Sequence, residues 1–417
     1  MLPTRELANQ VAVEARKLLK YHSSLDVQVV IGGTRLPQEQ RSMKSTPCQI
    51  LVATPGRLID HLENTPGFSS RIRGVKVLVL DEADRLLDMG FKRDIEKIIS
   101  FIPKERQTLL FSATVPAEVR QISHLAMHKD YKFINTVQEG DEETHAQVNQ
   151  MYMVAALDLH FSILYGVLKK HVAEDAEYKV SYLARIPLTE VPAYILGIFW
   201  CDIIHAILQV IIFCTTAMVT KLVAEILSQL KLNVREIHSR KTQSARTKVS
   251  DEFRRSKGLI LVSSDVSARG VDYPDVSLVV QVGVPSDRQQ YIHRLGRTGR
   301  KGKEGQGILL LAPWEQHFLG SVSDLSIAET VAPPVNPSIQ AEVQVAIRKV
   351  EMKTKESAYQ AWLGYYNSNK TISRDKSRLV KLAEEFSQSM GLEIPPAIPK
   401  LILRKMGLIN VPGLRSS

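Results

Sequence analysis

Apolar residues recur along this chain in two alternating textures. Between Arg5 and about Asn135, segments such as ELANQVAVEARKLLKY, with apolar positions three to four residues apart, alternate with short unbroken apolar runs, VQVVIGG, QILVATPGR, VKVLVLDEAD and QTLLFSAT. The first texture predicts amphipathic helices and the second buried strands, so the alternation predicts a parallel sheet covered by helices. The polar, acidic stretch VQEGDEETHAQ has neither period nor apolar content and predicts a linker. The alternation resumes with QMYMVAA, VIIFC, NVREIHS, GLILVSSD, VSLVVQVGVP and GQGILLLAP, and it ends near Pro313. From Trp314 to Ser417 the period is helical, Lys and Arg are abundant, and APPVNP and EIPPAIPK punctuate the chain. The pattern thus predicts an α/β domain over 1–135, a linker over 136–147, a second α/β domain over 148–313 and a basic helical extension over 314–417.

Composition narrows the class. With 417 residues, 44% hydrophobic and 24% charged, the chain is long enough for two or three packed domains and is neither fibrous nor disordered. A net charge of +10 fits an anionic partner such as nucleic acid and equally an ordinary basic surface, so motifs must decide. Cys48, Cys201 and Cys214 are too few and scattered for a disulfide framework or a zinc site, which points to a reducing compartment. The opening MLPTRELANQ has no basic region followed by an apolar run, so no signal peptide is visible in it.

Two stretches carry chemistry. VLVLDEAD delivers Asp81, Glu82 and Asp84 to the carboxyl end of a predicted strand, where open α/β sheets place their ligands. There an aspartate can hold Mg²⁺ through water and a glutamate can polarise the attacking water of nucleotide hydrolysis, although Asp-Glu after a strand is also a common solvated turn. HRLGRTGRKG sets Arg294, Arg297 and Arg300 three residues apart. On a helical turn that spacing puts three guanidinium groups on one face, suited to a γ-phosphate; a basic helix start is the alternative, which the two glycines disfavour.

With these motifs in view, the chain resembles a DEAD-box RNA helicase, a superfamily 2 ATPase. PTRELA (3–8), Gly32-Gly33, TPGR (54–57), DEAD (81–84), SAT (112–114), IIFC (211–214), Gln243 to Arg246, SSDVSARGVD (263–272) and HRLGRTGR (293–300) occur in that family's order. The likeness covers roughly 3–320, and ESAYQAWLGYYNSN is similar to the extension of the subfamily that includes organellar RNA-splicing chaperones and their plant relatives. The resemblance implies two RecA-like domains in tandem, closing over ATP and one RNA strand. It implies that Asp81 anchors Mg²⁺, Glu82 is the general base, Asp272 touches the ribose, and Arg297 and Arg300 meet the γ-phosphate. Asp84, Ser112, Thr114 and His293 would link hydrolysis to domain closure. Arg5, Gly33, Thr54, Pro55, Gly56 and Arg57 would meet the RNA backbone from the first domain, and Arg246, Ser264 and Gly270 from the second. Such contacts carry position and little sequence information, so the core is expected to bind RNA without sequence preference. The basic tail could hold flanking RNA by charge, or be an ordinary solvated face.

Two departures from the family pattern stand out. The aromatic-plus-glutamine segment that reads adenine and the Gly-Lys-Thr loop that cradles phosphates should precede PTRELA, and neither is in these 417 residues. The first domain is therefore expected to be incomplete, with Met1 internal to a longer protein, neighbouring strands left with exposed apolar faces, and the chain inactive in ATP hydrolysis. Any organellar or nuclear address would be lost with that part, so the compartment stays open. The second departure is 180–209. From Val191 to Val210 only Asp202 carries a formal charge, approaching the roughly 20 residues that cross a bilayer. A single span would split the second domain across the membrane, so no membrane partner is expected. Val180 must have a codon beginning GT and Gln209 can be encoded by CAG; the segment is expected to be a retained intron interrupting YK-VIIFC. A nucleotide-independent RNA-binding protein, using the second domain and the tail, is the alternative reading.

Overall fold

The structure is a computed structural model that describes residues 1–45, 48–114, 117–136, 148–183, 209–267, 273, 276–300 and 303–417, with the side chains of 117–118 and 173–183 left aside. All but the first residue of the expected linker and nearly all of the 180–209 segment lie outside the described residues. The chain divides into two compact units, one of 1–141 with 242–247 and one of 142–241 with 248–417. Among the described residues no helix is long and apolar enough to cross a membrane.

The first unit alternates helix and strand: α1 (Arg5–Leu18), β1 (Val27–Val30), α2 (Leu36–Ser45), β2 (Ile50–Ala53), α3 (Pro55–Asn64), α4 (Phe68–Ile72), β3 (Val77–Leu80), α5 (Ala83–Asp88), α6 (Lys92–Phe101), β4 (Gln107–Leu110) and α7 (Ala117–Ala126). Its strands form two parallel pairs, β1 with β2 and β3 with β4. Between the pairs lie the opening residues. Leu2 N–H bonds the Ala53 carbonyl at 3.0 Å and the Met1 carbonyl accepts the Asp81 N–H at 3.1 Å. Period-2 alternation on β3 buries Leu78 and Leu80 against α3, α6 and α7, while Val77, Val79, Leu109 and Phe111 stay exposed.

In the second unit come β5 (Val148–Val154), α8 (His160–Leu183), β6 (Gln209–Cys214), α9 (Ala217–Gln229), β7 (Val234–Ile237), α10 (Gln243–Arg255), whose first turns cluster with the first unit, and β8 (Ile260–Ser263). They are followed by β9 (Val276–Val282), α11 (Arg288–Leu295), β10 (Gly305–Leu311), β11 (Ile327–Glu329), α12 (Pro337–Lys349), α13 (Met352–Ser368), α14 (Lys376–Ser389) and α15 (Lys400–Lys405). Seven strands pair in parallel in the order β11-β5-β10-β9-β6-β8-β7. Every residue of central β6 is buried, as a strand covered on both faces requires, and this is why it reads as an unbroken apolar run.

Two boundaries differ from the sequence expectation. The sheet does not end before Pro313, because β11 pairs with β5 from within the stretch assigned to the helical extension. At three residues, β11 is too short to show a period. Helices α12 to α14 also share the second unit's main core, through Val343, Trp362, Tyr366 and Phe386 among others, so the extension is an integral layer. The Trp362 and Phe386 rings stack at 5.0 Å between centroids. Second, β6 begins at Gln209, placed by the sequence reading in the insert; its buried amide nitrogen bonds the carbonyls of Phe253 and Ser256.

One buried polar group makes the second unit sensitive to acid. His160, at the start of α8, sits within hydrogen-bond distance of the Ala155 carbonyl, with Nε2 at 2.9 Å, and burial lowers its pKa from 6.5 to about 4. A histidine depressed in the folded state stays neutral while the unfolded chain takes up a proton, so its contribution is intact above pH 6.5 and is lost as the pH falls toward 4. Denaturant unfolding is expected to lose roughly 3 kcal/mol across that window on this account, and His160→Gln should flatten most of that slope.

Candidate functional site

Because paired strands run parallel, and Met1–Leu2 bonds both Ala53 and Asp81 at the ends of β2 and β3, the segments that follow the strands leave from matching ends. In the first unit these are Gly32–Thr34 after β1, Thr54–Arg57 after β2, Asp81–Asp84 after β3 and Ser112–Thr114 after β4.

At the end of β3 the chain turns abruptly into α5. Glu82 adopts a left-handed conformation, φ 48°, ψ 56°, unusual for a residue with a side chain. Its N–H bonds Asp81 Oδ1 at 3.0 Å. Burial raises the Asp81 carboxyl above its ordinary value, opposing that hydrogen bond. Asp84, which is buried, donates its N–H to Ser112 Oγ at 3.2 Å and accepts the Thr114 hydroxyl at Oδ2, also 3.2 Å. Ser112 Oγ in turn bonds the Thr114 carbonyl at 2.6 Å. The two motifs thus form one hydrogen-bonded cluster.

The other residues expected to meet RNA from the first unit also gather. Thr4 caps α1 by accepting the Leu7 N–H, which fixes Arg5 on its first turn. Arg5 lies against the Gly32-Gly33 turn so closely that a Cβ on Gly32 would come 2.6 Å from Arg5 Nη2, and one on Gly33, where φ is +91°, 2.7 Å from Nη1. Both glycines are therefore needed for the guanidinium to approach the backbone. Thr54 and Pro55 start α3 with Gly56 exposed, and the first-turn N–H groups have no helix carbonyl within reach. Arg57 donates to Thr34 Oγ1 at 2.9 Å, to the Thr34 carbonyl at 3.0 Å and to Glu39 Oε2 at 2.7 Å.

Sequence reasoning missed Glu39 and His61. His61 is fully buried, with Nε2 2.8 Å from Glu39 Oε2 and Nδ1 2.8 Å from Thr65 Oγ1. Burial alone would raise the Glu39 pKa, but hydrogen bonds from His61, Thr34 and Arg57 outweigh it and hold the carboxyl below its ordinary value. The available signal was position: His61 lies four residues after Arg57 on α3 and so shares its face.

Arg246 lies near the start of α10, in the turns that cluster with the first unit, and in the second unit Ser264 follows β8, its N–H bonded to the Ile237 carbonyl at 3.2 Å. Gly270 and Asp272 lie outside the described residues. His293 is on α11, and Arg297 and Arg300 follow that helix, with Nε bonded to the carbonyls of His293 at 3.3 Å and Gly296 at 2.9 Å. The expectation of three arginines on one helical face fails for Arg294. The helix ends at Leu295, and Arg294 turns inward, fully buried, with Nε 2.8 Å from Asp265 Oδ1 and its guanidinium over the Phe213 ring. Burial would lower its pKa, but Asp265 outweighs that and raises it. Arg294 is thus a buried ion-pair partner and leaves Arg297 and Arg300 as the pair that could meet a ligand. Two glycines of β10 hold that segment close: a Cβ on Gly305 would lie 2.2 Å from Thr298 Oγ1, and one on Gly307 2.1 Å from Leu295 Cδ1.

Comparison with known proteins gives the arrangement a context. The sequence pattern of the DEAD/DEAH box helicases matches residues 1–122, and that of the helicase conserved C-terminal domain matches 198–302. The chain is 78% identical over 414 residues to DEAD-box ATP-dependent RNA helicase 26 of Oryza sativa subsp. japonica, an alignment covering 99% of this chain and 72% of that protein. It is 76% identical over 417 residues to helicase 25 of the same organism, the alignment covering all of this chain and 65% of that protein. Among solved structures, Mss116p lacking its NTE and C-tail and bound to ssRNA and AMP-PNP is similar at TM-score 0.80 and 29% identity, over 99% of this chain and 79% of that one.

The buried pair yields a direct expectation. Asp265→Ala leaves the Arg294 charge buried without its counter-ion and should cost about 3–5 kcal/mol in urea unfolding. Asp324→Ala, which removes the solvated partner of Arg288, should leave the unfolding midpoint unchanged.

Proposed function

The chain belongs to the DEAD/DEAH box helicase family, and from that membership we propose that it carries the hydrolytic and strand-binding edges of an ATP-dependent RNA helicase. The observation that carries this reading is the cluster at the ends of β3 and β4, where Asp81 and Glu82 stand beside the hydrogen-bonded Asp84, Ser112 and Thr114.

In this reading Asp81 would hold Mg²⁺ through water. Among the described residues no three acidic, histidine or cysteine side chains gather into a metal cage. Mg²⁺ keeps several waters and takes one or two carboxylates beside the phosphate oxygens, a role Asp81 at the strand end could fill. Bound there, the ion would neutralise phosphate charge. Glu82 takes the proton of the attacking water, Arg297 and Arg300 meet the γ-phosphate, and Asp272 meets the ribose. Asp84, Ser112, Thr114 and His293 couple the chemistry to closure. RNA lies along Arg5, Gly33, Thr54, Pro55, Gly56 and Arg57, and along Arg246, Ser264 and Gly270, held by phosphate contacts without sequence preference.

The 417 residues contain no Gly-Lys-Thr loop; their one Gly-Lys pair, Gly302-Lys303, is followed by Glu304. The chain as it stands is therefore proposed to bind RNA without turning over ATP. Purified 1–417 should bind a single-stranded oligonucleotide at low salt without nucleotide. If Arg5, Arg57 and Arg246 each neutralise one phosphate, the log–log salt slope should be about −2. RNA-stimulated ATP turnover abolished by Glu82→Gln would overturn the inactive reading, and no RNA binding at low salt would overturn the strand-binding one. Binding unchanged when all three arginines are replaced would favour the alternative, a nucleotide-independent RNA-binding protein that uses the second domain and the tail.

Residues 180–209 are proposed to be a retained intron. Spliced transcripts should join the Lys179 codon to that of Val210; transcripts that always keep the segment, or genomic codons without GT and AG boundaries, would sink the idea.

A further inference from the structure

We propose that Glu39 is a positioning residue for Arg57, holding its guanidinium in the posture that receives an RNA phosphate. The inference rests on the reading that Arg57 meets RNA, and it concerns a carboxylate whose charge should oppose that binding.

A guanidinium has five N–H donors. Three of those on Arg57 are committed, to the Thr34 hydroxyl, the Thr34 carbonyl and Glu39 Oε2. At most two remain for an anion, and Nε also lies 3.3 Å from the exposed Asp60 carboxylate. An arginine free to swing would spend rotamer entropy on every phosphate it met; one held at three points has already lost it.

Glu39 is the hub of that hold. Its side chain is 11% exposed. Oε2 receives both Arg57 Nη1–H and His61 Nε2–H, and Oε1 receives the Thr34 hydroxyl. The relay continues inward: Thr65 Oγ1 meets His61 Nδ1 at 2.8 Å and accepts Gln40 Nε2–H at 3.1 Å. The bonds are mutually consistent with a His61 that donates from Nε2 and accepts at Nδ1. Helix α2, through Glu39 and Gln40, is thereby locked to α3, through Arg57 and His61, and to the glycine turn, through Thr34.

Charge and geometry predict opposite signs here. By Coulomb's law alone, removing a carboxylate 2.7 Å from a phosphate-binding guanidinium should tighten RNA binding. If Glu39 acts by position, removing it should weaken binding. The test uses 1–417 and a fluorescein-labelled single-stranded oligouridine decamer, read by anisotropy, with thermal melts confirming that each variant is folded. Glu39→Gln and Glu39→Asp, the second keeping the charge but shortening the reach, should each weaken binding about tenfold, the worth of one charge-assisted hydrogen bond. In an Arg57→Ala background both effects should disappear. Where Glu39→Gln fails to fold, Glu39→Asp carries the test alone. Tighter binding by Glu39→Gln with parental binding by Glu39→Asp overturns the proposal, as does an equal loss with Arg57 already removed, which would mark a role in the fold. If Arg57→Ala alone binds like the parent, the RNA reading of Arg57 fails first and this inference falls with it.

Discussion

Parallel pairing is the constraint on which the rest depends. Every strand pair among the described residues is parallel. Paired strands therefore finish at the same end, and the helices that follow begin there; in the first unit Met1–Leu2 joins the ends of the two pairs. A buried parallel strand can carry almost nothing polar along its length, so polar side chains are displaced to its end. Gly32-Gly33, Thr54–Arg57, Asp81–Asp84 and Ser112–Thr114 occupy such ends in the first unit, and Ser264-Asp265 and Gly283-Val284 do so in the second. Proximity of residues dozens of positions apart follows from topology before any side chain is considered.

Three acidic side chains at these edges show what keeps the ends in shape. Asp265 meets the fully buried Arg294. Glu315 has burial pushing its carboxyl up, and accepts the Val284 N–H at 2.9 Å, the Ala312 N–H at 2.8 Å and the Tyr366 hydroxyl. Glu39 takes Arg57, His61 and Thr34. Each has several donors, and in a low-dielectric setting a half-satisfied carboxylate would be worse than none. Their common effect is geometric: each joins segments distant in sequence. Glu315 ties α13 to the turn after β9, so the extension buttresses the same edge that holds Asp265 and Arg294.

Much of this was legible in the sequence, for a physical reason. Buried parallel strands read as apolar runs, so β1 to β10 lie where those runs predict, and Asp81 and Glu82 follow from the strand before them. What the sequence hid was either too short, too remote or dependent on a local ending. Strand β11 spans only Ile327–Glu329. Glu39 and His61 are separated by 22 residues, and neither belongs to a motif. Arg294 was misread because three-residue spacing implies one face only while the helix continues. Here the turns tighten at Gly296 to Thr298, whose N–H groups bond the carbonyls of Ile292, Arg294 and Leu295.

The same dependence on neighbours governs the acidic turn itself. A left-handed Glu82 costs roughly 1–2 kcal/mol relative to a right-handed one, and no side chain caps the helix it opens. The turn is held from outside: the Ala83 N–H bonds the Phe111 carbonyl at 3.0 Å, the Asp84 N–H bonds Ser112 Oγ, and the Phe111 N–H bonds the Leu80 carbonyl at 2.8 Å. Residues 111–114 thus supply the partners that let 81–84 keep a strained conformation. A displacement of the β4 end would remove those partners and leave the strain uncompensated, so the two segments have reason to move as one body. The Asp81 N–H has a separate partner, the Met1 carbonyl at 3.1 Å, so the acidic turn is held on one side by the opening residues and on the other by the end of β4.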